Sequence, residues 1–186
     1  EKFIVMVDSD IVITNNYLEN ALKHFKDNKV VAVGGKLESL NNGIASKLEE
    51  LLLEAYCKTH HTIPAGATIY RADILKKEKF KPTLQGGEDH ELHTRLKRKG
   101  YKIIYDPTIK VKHNFRNSLK LQMQACINSG TAKHKPLPAI LIRLIASPLR
   151  GFYYMFKVKN KFASLLPLYY LLKWLHILIG YIKRRC

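Results

Sequence analysis

An α/β layer fold with a basic helical appendage is what this chain predicts, and three observations carry the prediction. Apolar runs of strand length alternate with segments of helical period from residue 3 to residue 113. All 15 acidic residues fall within the first 106 positions, so residues 107–186 supply most of the formal net charge of +17. A hydrophobic fraction of 46% over 186 residues is ample for a core. Two segments are therefore expected, an α/β portion over 1–115 and a basic, apolar helical portion over 116–186.

The elements follow in order. Phe3-Ile4-Val5-Met6-Val7 is an unbroken apolar run, as expected of a strand buried on both faces of a mixed, mostly parallel sheet flanked by helices, and Asp8-Ser9-Asp10 closes it. Strands of that kind carry their chemistry at their C-terminal ends. Thr14 is placed to cap a helix whose Leu18, Ala21, Leu22 and Phe25 share one face. Val30 to Val33 reads as a second buried strand ending in Gly34-Gly35, and Leu48, Leu51, Leu52 and Ala55 mark a helix over 46–56. Pro64 to Tyr70 is a glycine-containing turn entering a short strand, and Arg71 to Leu75 opens another helix. Glu88 to Lys99 is helical, with Gly100 as its left-handed cap. Tyr101 to Tyr105 and Ile109 to His113 read as two strands parted by Asp106-Pro107.

Cys57, Cys126 and Cys186 are odd in number and lack paired or metal-type spacing, which predicts free thiols in a reducing compartment. His60 and His61 form no metal-ligand pattern with them. Glu1-Lys2-Phe3 offers no initiator Met and no signal-peptide order, so an upstream portion is expected.

Two acidic groups stand out, Asp8 with Asp10 at a strand end, and Gly86-Gly87-Glu88-Asp89 where a loop becomes a basic helix. Both have bland readings. Asp and Ser bond their own backbone in turns, and acidic residues in a first helical turn gain about 0.3–1 kcal/mol from the helix dipole. The order Val-Met-Val-Asp-Ser-Asp, Ala-Val-Gly-Gly, Gly-Ala-Thr-Ile-Tyr-Arg, Gly-Gly-Glu-Asp-His-Glu-Leu-His-Thr-Arg-Leu, then Val-Lys-His resembles family 2 glycosyltransferases of the GT-A fold, over about residues 3–135.

The resemblance implies inverting transfer of a sugar from a nucleotide-diphosphate sugar donor to an acceptor hydroxyl, with a divalent metal, Mn²⁺ or Mg²⁺, at the DxD motif. Asp10 matches the direct metal ligand. Asp8 matches a metal or donor contact, toward the ribose or a metal-bound water, and His113 a third metal ligand, although a strand-end histidine also has a purely structural reading. Asp89 matches the general base that an inverting displacement requires, and Glu88 beside it would tune that charge or bind acceptor hydroxyls. Gly66 and Ala67 match the small turn beside sugar and acceptor, and Gly86 and Gly87 let substrate approach the backbone closely. The family's fold opens with a nucleotide-binding half upstream of the DxD strand, and that half is missing here. The Gln-x-x-Arg-Trp motif of processive synthases is also absent after His113, which favours single additions.

The basic segment predicts where the protein works. Pro138 to Phe156 is apolar except for Arg143, Ser147 and Arg150 at helical spacing, the pattern of a helix in a membrane interface. Ala163 to Ile182 has about the 20 residues of a bilayer span, but Lys173 and His176 near its middle favour an in-plane or re-entrant helix. The expected location is the cytoplasmic face of the membrane, with an anionic lipid surface and a lipid-linked or glycan acceptor as partners. Nucleic acid is disfavoured because the charges are interleaved with aliphatic runs. The alternative function is a noncatalytic basic membrane- or nucleic-acid-binding module.

Overall fold

The computed structural model describes residues 1–64, 66–84, 87–130 and 136–184. The chain forms two compact units, one from Glu1–Leu40 with Tyr56–Asn114, the other from Asn41–Ala55 with Phe115–Cys186.

The first unit holds a five-stranded sheet in the order β1-β4-β3-β5-β2. Its strands are β1 (Phe3–Val7), β2 (Ile11–Ile13), β3 (Val30–Ser39), β4 (Ala67–Arg71) and β5 (Lys102–His113). The sheet is mixed, as expected, but β3–β5 is its one parallel pairing among the described residues, and β1–β4, β3–β4 and β2–β5 are antiparallel. The expectation of a mostly parallel sheet is thus corrected. β1 and β2 lie on opposite edges of the sheet, each paired antiparallel with an inner strand, so among the described residues the parallel pair is the inner β3–β5, whose crossover over residues 40–101 has room for helices. The expectation that β1 is buried on both faces is corrected too. It is an edge strand paired with β4 alone, and Val5, Met6 and Val7 are exposed.

Helix α1 (Tyr17–Leu22) is preceded by Asn16 in the left-handed conformation, with no side-chain cap. Thr14 is therefore not its cap; the Thr14 hydroxyl donates instead to the Lys110 carbonyl of β5. Ala21 and Phe25 are buried as predicted, whereas Leu18 and Leu22 are exposed. β3 does not stop at Gly34-Gly35. A Cβ on Gly35 would lie 2.1 Å from the Ile109 carbonyl oxygen, so glycine lets the strand pass β5 at that point. The two strands expected on either side of Asp106-Pro107 are one strand, because a register shift from Gly35↔Asp106 to Lys36↔Lys110 loops the proline out of the ladder.

Helix α2 (Ile44–His60) begins in the second unit and ends in the first. Helix α3 (Ala72–Glu78) follows β4, and α4 (Glu88–Arg98) precedes β5. Leu92 and Leu96 of α4 pack with Val31, Ala32, Ile63, Tyr70 and Ile103 into one core cluster. Gly100, at φ 83°, follows the helix as the predicted left-handed cap.

The second unit is helical, with α5 (Leu119–Gly130), α6 (Leu137–Met155) and α7 (Leu166–Lys183), the last entered through a 3₁₀ turn at Lys161–Leu165. Cys126, Ile140, Trp174, Ile177 and Tyr181 form its core cluster. Added Cβ atoms on Gly130 and Gly180 would meet the Ile177 and Ile127 carbonyl oxygens at 2.1 and 1.9 Å, so paired glycines bring α5 and α7 into backbone contact. Cys57 and Cys126 are buried thiols, and Cys186 lies outside the described residues.

Candidate functional site

The acidic turn after β1 is fixed by its neighbours in the first unit. The Asp8 backbone N–H donates to the Gly66 carbonyl at 2.9 Å, and the Ile11 N–H closes the turn on the Asp8 carbonyl at 3.2 Å. A Cβ on Gly66 would lie 2.5 Å from Ile11 Cδ1 and 3.3 Å from Asp8 Oδ2. A larger residue there would have to displace the end of the Ile11 side chain and crowd the Asp8 carboxylate, so glycine lets the small turn and the first aspartate approach closely. Ala67, next in sequence, is fully buried and faces Val7 across the β1–β4 ladder.

Asp10 and His113 meet by strand register. β2 pairs Ile11 with His113, and the Asn114 N–H donates to the Asp10 carbonyl at 3.0 Å. These contacts set Asp10 Oδ2 3.5 Å from His113 Nε2, with the imidazole largely shielded and the carboxylate half exposed. A carboxylate and an imidazole are donors that suit a transition-type divalent cation such as Mn²⁺. Asp8 is not gathered with them, since no group of three or more His, Cys, Asp or Glu side chains is placed to hold a metal among the described residues.

Gly86 lies outside the described residues. Gly87, at φ 76°, takes the left-handed N-cap position of α4, and a Cβ there would meet nothing within 4 Å, so its requirement is conformational. The Gly87 carbonyl accepts the Glu91 N–H at 3.0 Å and starts the helix. Glu88 and Asp89 then fall in its first turn, both partly buried. Arg95 holds this helix to the chain before it: it donates to both Glu91 oxygens at 3.0 and 3.1 Å and to the Glu78 and Lys79 carbonyls at 2.8 Å each.

One pair escaped the sequence reading. His93, one turn beyond Asp89, is buried, and its Nε2 lies 2.8 Å from the Tyr70 hydroxyl of β4. Burial, and then the charge of Asp89, push the Tyr70 phenol above its usual range. Burial likewise pushes His93 down to about 4, helped by Lys97 and His90, so the imidazole is neutral at pH 7. β4 therefore joins both parts of the site: it starts at the Gly66–Asp8 contact and carries Tyr70 to the helix of Asp89. The signal available in sequence was the i, i+4 spacing of Asp89 and His93.

The fold places the chain first. It is similar to the solved structure of the mannosyltransferase PcManGT from Pyrobaculum calidifontis in complex with GDP-Man and Mn²⁺, at a TM-score of 0.58 and 14% identity, covering 99% of this chain and 62% of that one. The sequence then gives the family: residues 1–128 match the family described as glycosyltransferase like family 2, and the chain belongs to it. Pre-mycofactocin glycosyltransferases from two strains of Mycobacterium tuberculosis are each 30% identical over 131 residues, 63% of this chain. The chain spans 28% of the length of those curated relatives.

Proposed function

We propose that the protein is an inverting glycosyltransferase that moves a sugar from a nucleotide-diphosphate donor to a hydroxyl of a lipid-linked or membrane-proximal glycan acceptor at the cytoplasmic face of the membrane. Asp89 is the general base. Its place on the first turn of α4, beside a phenol whose ionisation it opposes, supports the assignment. Glu88 orients acceptor hydroxyls or tunes the charge of Asp89, and the Gly66-Ala67 turn and Gly87 admit substrate close to the backbone. Asp8 contacts the donor, through the ribose or a metal-bound water. Asp10 and His113 would hold a divalent cation, whose charge would offset that of the departing diphosphate.

The observation that supports this reading is that the two ends of β4 meet the turn of Asp8, through Gly66, and the helix that carries Asp89, through the Tyr70–His93 contact. A noncatalytic basic module is the second reading, favoured by the lack of a third metal-capable side chain beside Asp10 and His113 among the described residues. The test is Mn²⁺-dependent transfer of label from a panel of nucleotide-diphosphate sugars into membrane lipid extract, with the full chain and its variants. Asp89→Asn is expected to abolish transfer while donor binding persists, and Asp10→Asn to weaken both. Transfer retained in Asp89→Asn would remove it as the base, and no transfer from any donor would favour the module.

A further inference from the structure

The second unit carries an exposed apolar face that its own packing does not use. On α6, Ile142, Ile145, Leu149, Phe152 and Phe156 share one side of the helix; Ile145, Leu149 and Phe156 are 79%, 76% and 79% exposed. The opposite side is the buried one, where Ile140, Ser147, Gly151 and Tyr154 face inward. Ser147 thus does not belong to a solvent-facing polar stripe with Arg143 and Arg150. It is fully buried, with its hydroxyl on the Leu144 carbonyl at 2.6 Å, and a Cβ on Gly151 would lie 2.4 Å from Pro167 Cα, a contact that seats α6 against α7. Arg143 and Arg150 are exposed at the flank of the apolar face, and Lys157, Lys159 and Lys161 follow its C-terminal end.

Helix α7 has the composition of a bilayer span over Lys161–Lys183, yet its polar groups are engaged inside the unit. Lys173 donates to both Glu49 oxygens at 2.6 and 2.8 Å, and the Tyr169 hydroxyl donates to the same carboxylate at 2.7 Å. Its other sides pack on α5 through the glycine contacts and on α6. Tied to the Glu49 carboxylate of α2 and to two neighbouring helices, α7 is held against the unit on one side, while Leu168, Leu175 and Ile182 stay exposed on the other.

We propose that α6 lies in the plane of an anionic lipid bilayer, with the Ile142–Ile145–Leu149–Phe152–Phe156 face inserted at the headgroup boundary, and that α7 supports it from within the unit without crossing the membrane. Charge selects this occupant. Arg150 at the flank and Lys157, Lys159 and Lys161 beyond the C-terminal end are exposed cations beside the inserted face, Arg143 being stacked on the Trp174 ring, and residues 107–186 contain no acidic residue that would repel anionic headgroups. A nucleic acid would meet the cations but leave the aliphatic and aromatic face in water. The inference deepens the reading of a membrane-proximal acceptor and rests on it for its purpose.

The test is flotation of the full chain with phosphatidylglycerol–phosphatidylcholine vesicles and with phosphatidylcholine vesicles, without donor. Binding is expected to the anionic vesicles only, to weaken with salt, and to be released by alkaline carbonate. Ile145→Glu/Leu149→Glu, both at exposed positions, should keep the wild-type circular dichroism and melting temperature while losing at least tenfold in vesicle partitioning. Equal partitioning of the variant would overturn the proposal, as would retention of the wild type after carbonate or a dimer that the same substitutions dissociate. Because flotation needs no sugar transfer, vesicle binding without activity would refute the transferase reading and leave this one standing.

Discussion

Protonation of His93 should set the acid stability of the first unit. The imidazole is 1% exposed, its Nε2 is committed to the Tyr70 hydroxyl at 2.8 Å, and burial holds its pKa at about 4 against an ordinary value near 6.5. Between those values the unfolded chain binds the proton and the folded one does not. The stability supplied by the neutral imidazole is therefore complete above pH 6.5 and is lost as pH falls toward 4. The difference between the folded and the unfolded imidazole corresponds to about 3 kcal/mol, a large part of the 5–15 kcal/mol typical of a domain. His93→Gln removes the titration and leaves an amide able to partner Tyr70. Urea unfolding of the full chain, followed by far-UV circular dichroism from pH 7.5 to 4.5, should show the wild type falling more steeply than the variant over this window. Far-UV dichroism is the suitable probe because the sole tryptophan, Trp174, belongs to the second unit. Parallel slopes for the two proteins, or an NMR titration of His93 centred near 6.5, would refute the reasoning.

Three further perturbations have defined outcomes. Gly35→Ala puts a methyl group 2.1 Å from the Ile109 carbonyl oxygen, where only backbone can yield, and should cost about 3 kcal/mol in a urea midpoint. Glu49→Gln removes the counter-charge of Lys173, whose side chain is 17% exposed, and should lower stability by about 2 kcal/mol, with Glu49→Gln/Lys173→Met recovering most of it; a double variant no better than the single would mean the ion pair is not the cause. For Glu38, burial pushes the carboxyl up, but Lys110 and Lys112 at 2.9 Å each outweigh it and lower it to about 2. Its contribution is present above about pH 4.5 and lost as pH falls toward 2. Because both lysines are well exposed, Glu38→Gln should flatten that acid limb by only about 1 kcal/mol.

What could be read in the sequence were features decided within a few residues. The start of α4 at Gly87-Glu88, its end before Gly100, and the inward Leu92 and Leu96 all follow from capping and period. Errors arose where a distant strand decided the matter. Asp106-Pro107 has every local mark of a turn, but a bulge opposite Gly35 absorbs it within β5, and the Asp106 carboxylate satisfies the Thr108 N–H at 2.8 Å and meets His24 at 2.8 Å. Thr14 has the chemistry of a cap, but a carbonyl 96 residues away takes its hydroxyl. The apolar run of β1 promised burial and found one neighbour, since alternation and burial report the faces of a strand but not its rank in the sheet. In the candidate site, Asp10 and His113 were nominated by motif, and their 3.5 Å approach follows from the β2–β5 register. The His93–Tyr70 pair had no motif to announce it.

Charge order along the chain also differs from charge order in the fold. Residues 107–186 are free of carboxylates, which made Lys173, in the middle of an apolar helix, look like a costly burial. The unit that Phe115–Cys186 builds with Asn41–Ala55 nevertheless contains three glutamates, because the first part of α2 brings Glu49, Glu50 and Glu54 to it. Glu49 is spent inward on Lys173 and Tyr169, and Glu50, itself buried, pairs with Lys47 at 2.8 Å. Glu49 and Glu50 thus meet cations at the helix contacts, while Arg150, Lys157, Lys159 and Lys161 stay exposed beside the apolar face of α6. A sequence that merely needed solubility would scatter both signs over that surface. Carboxylates at the packed contacts, with cations around an exposed aliphatic and aromatic stripe, are the distribution that an anionic, partly apolar partner would select.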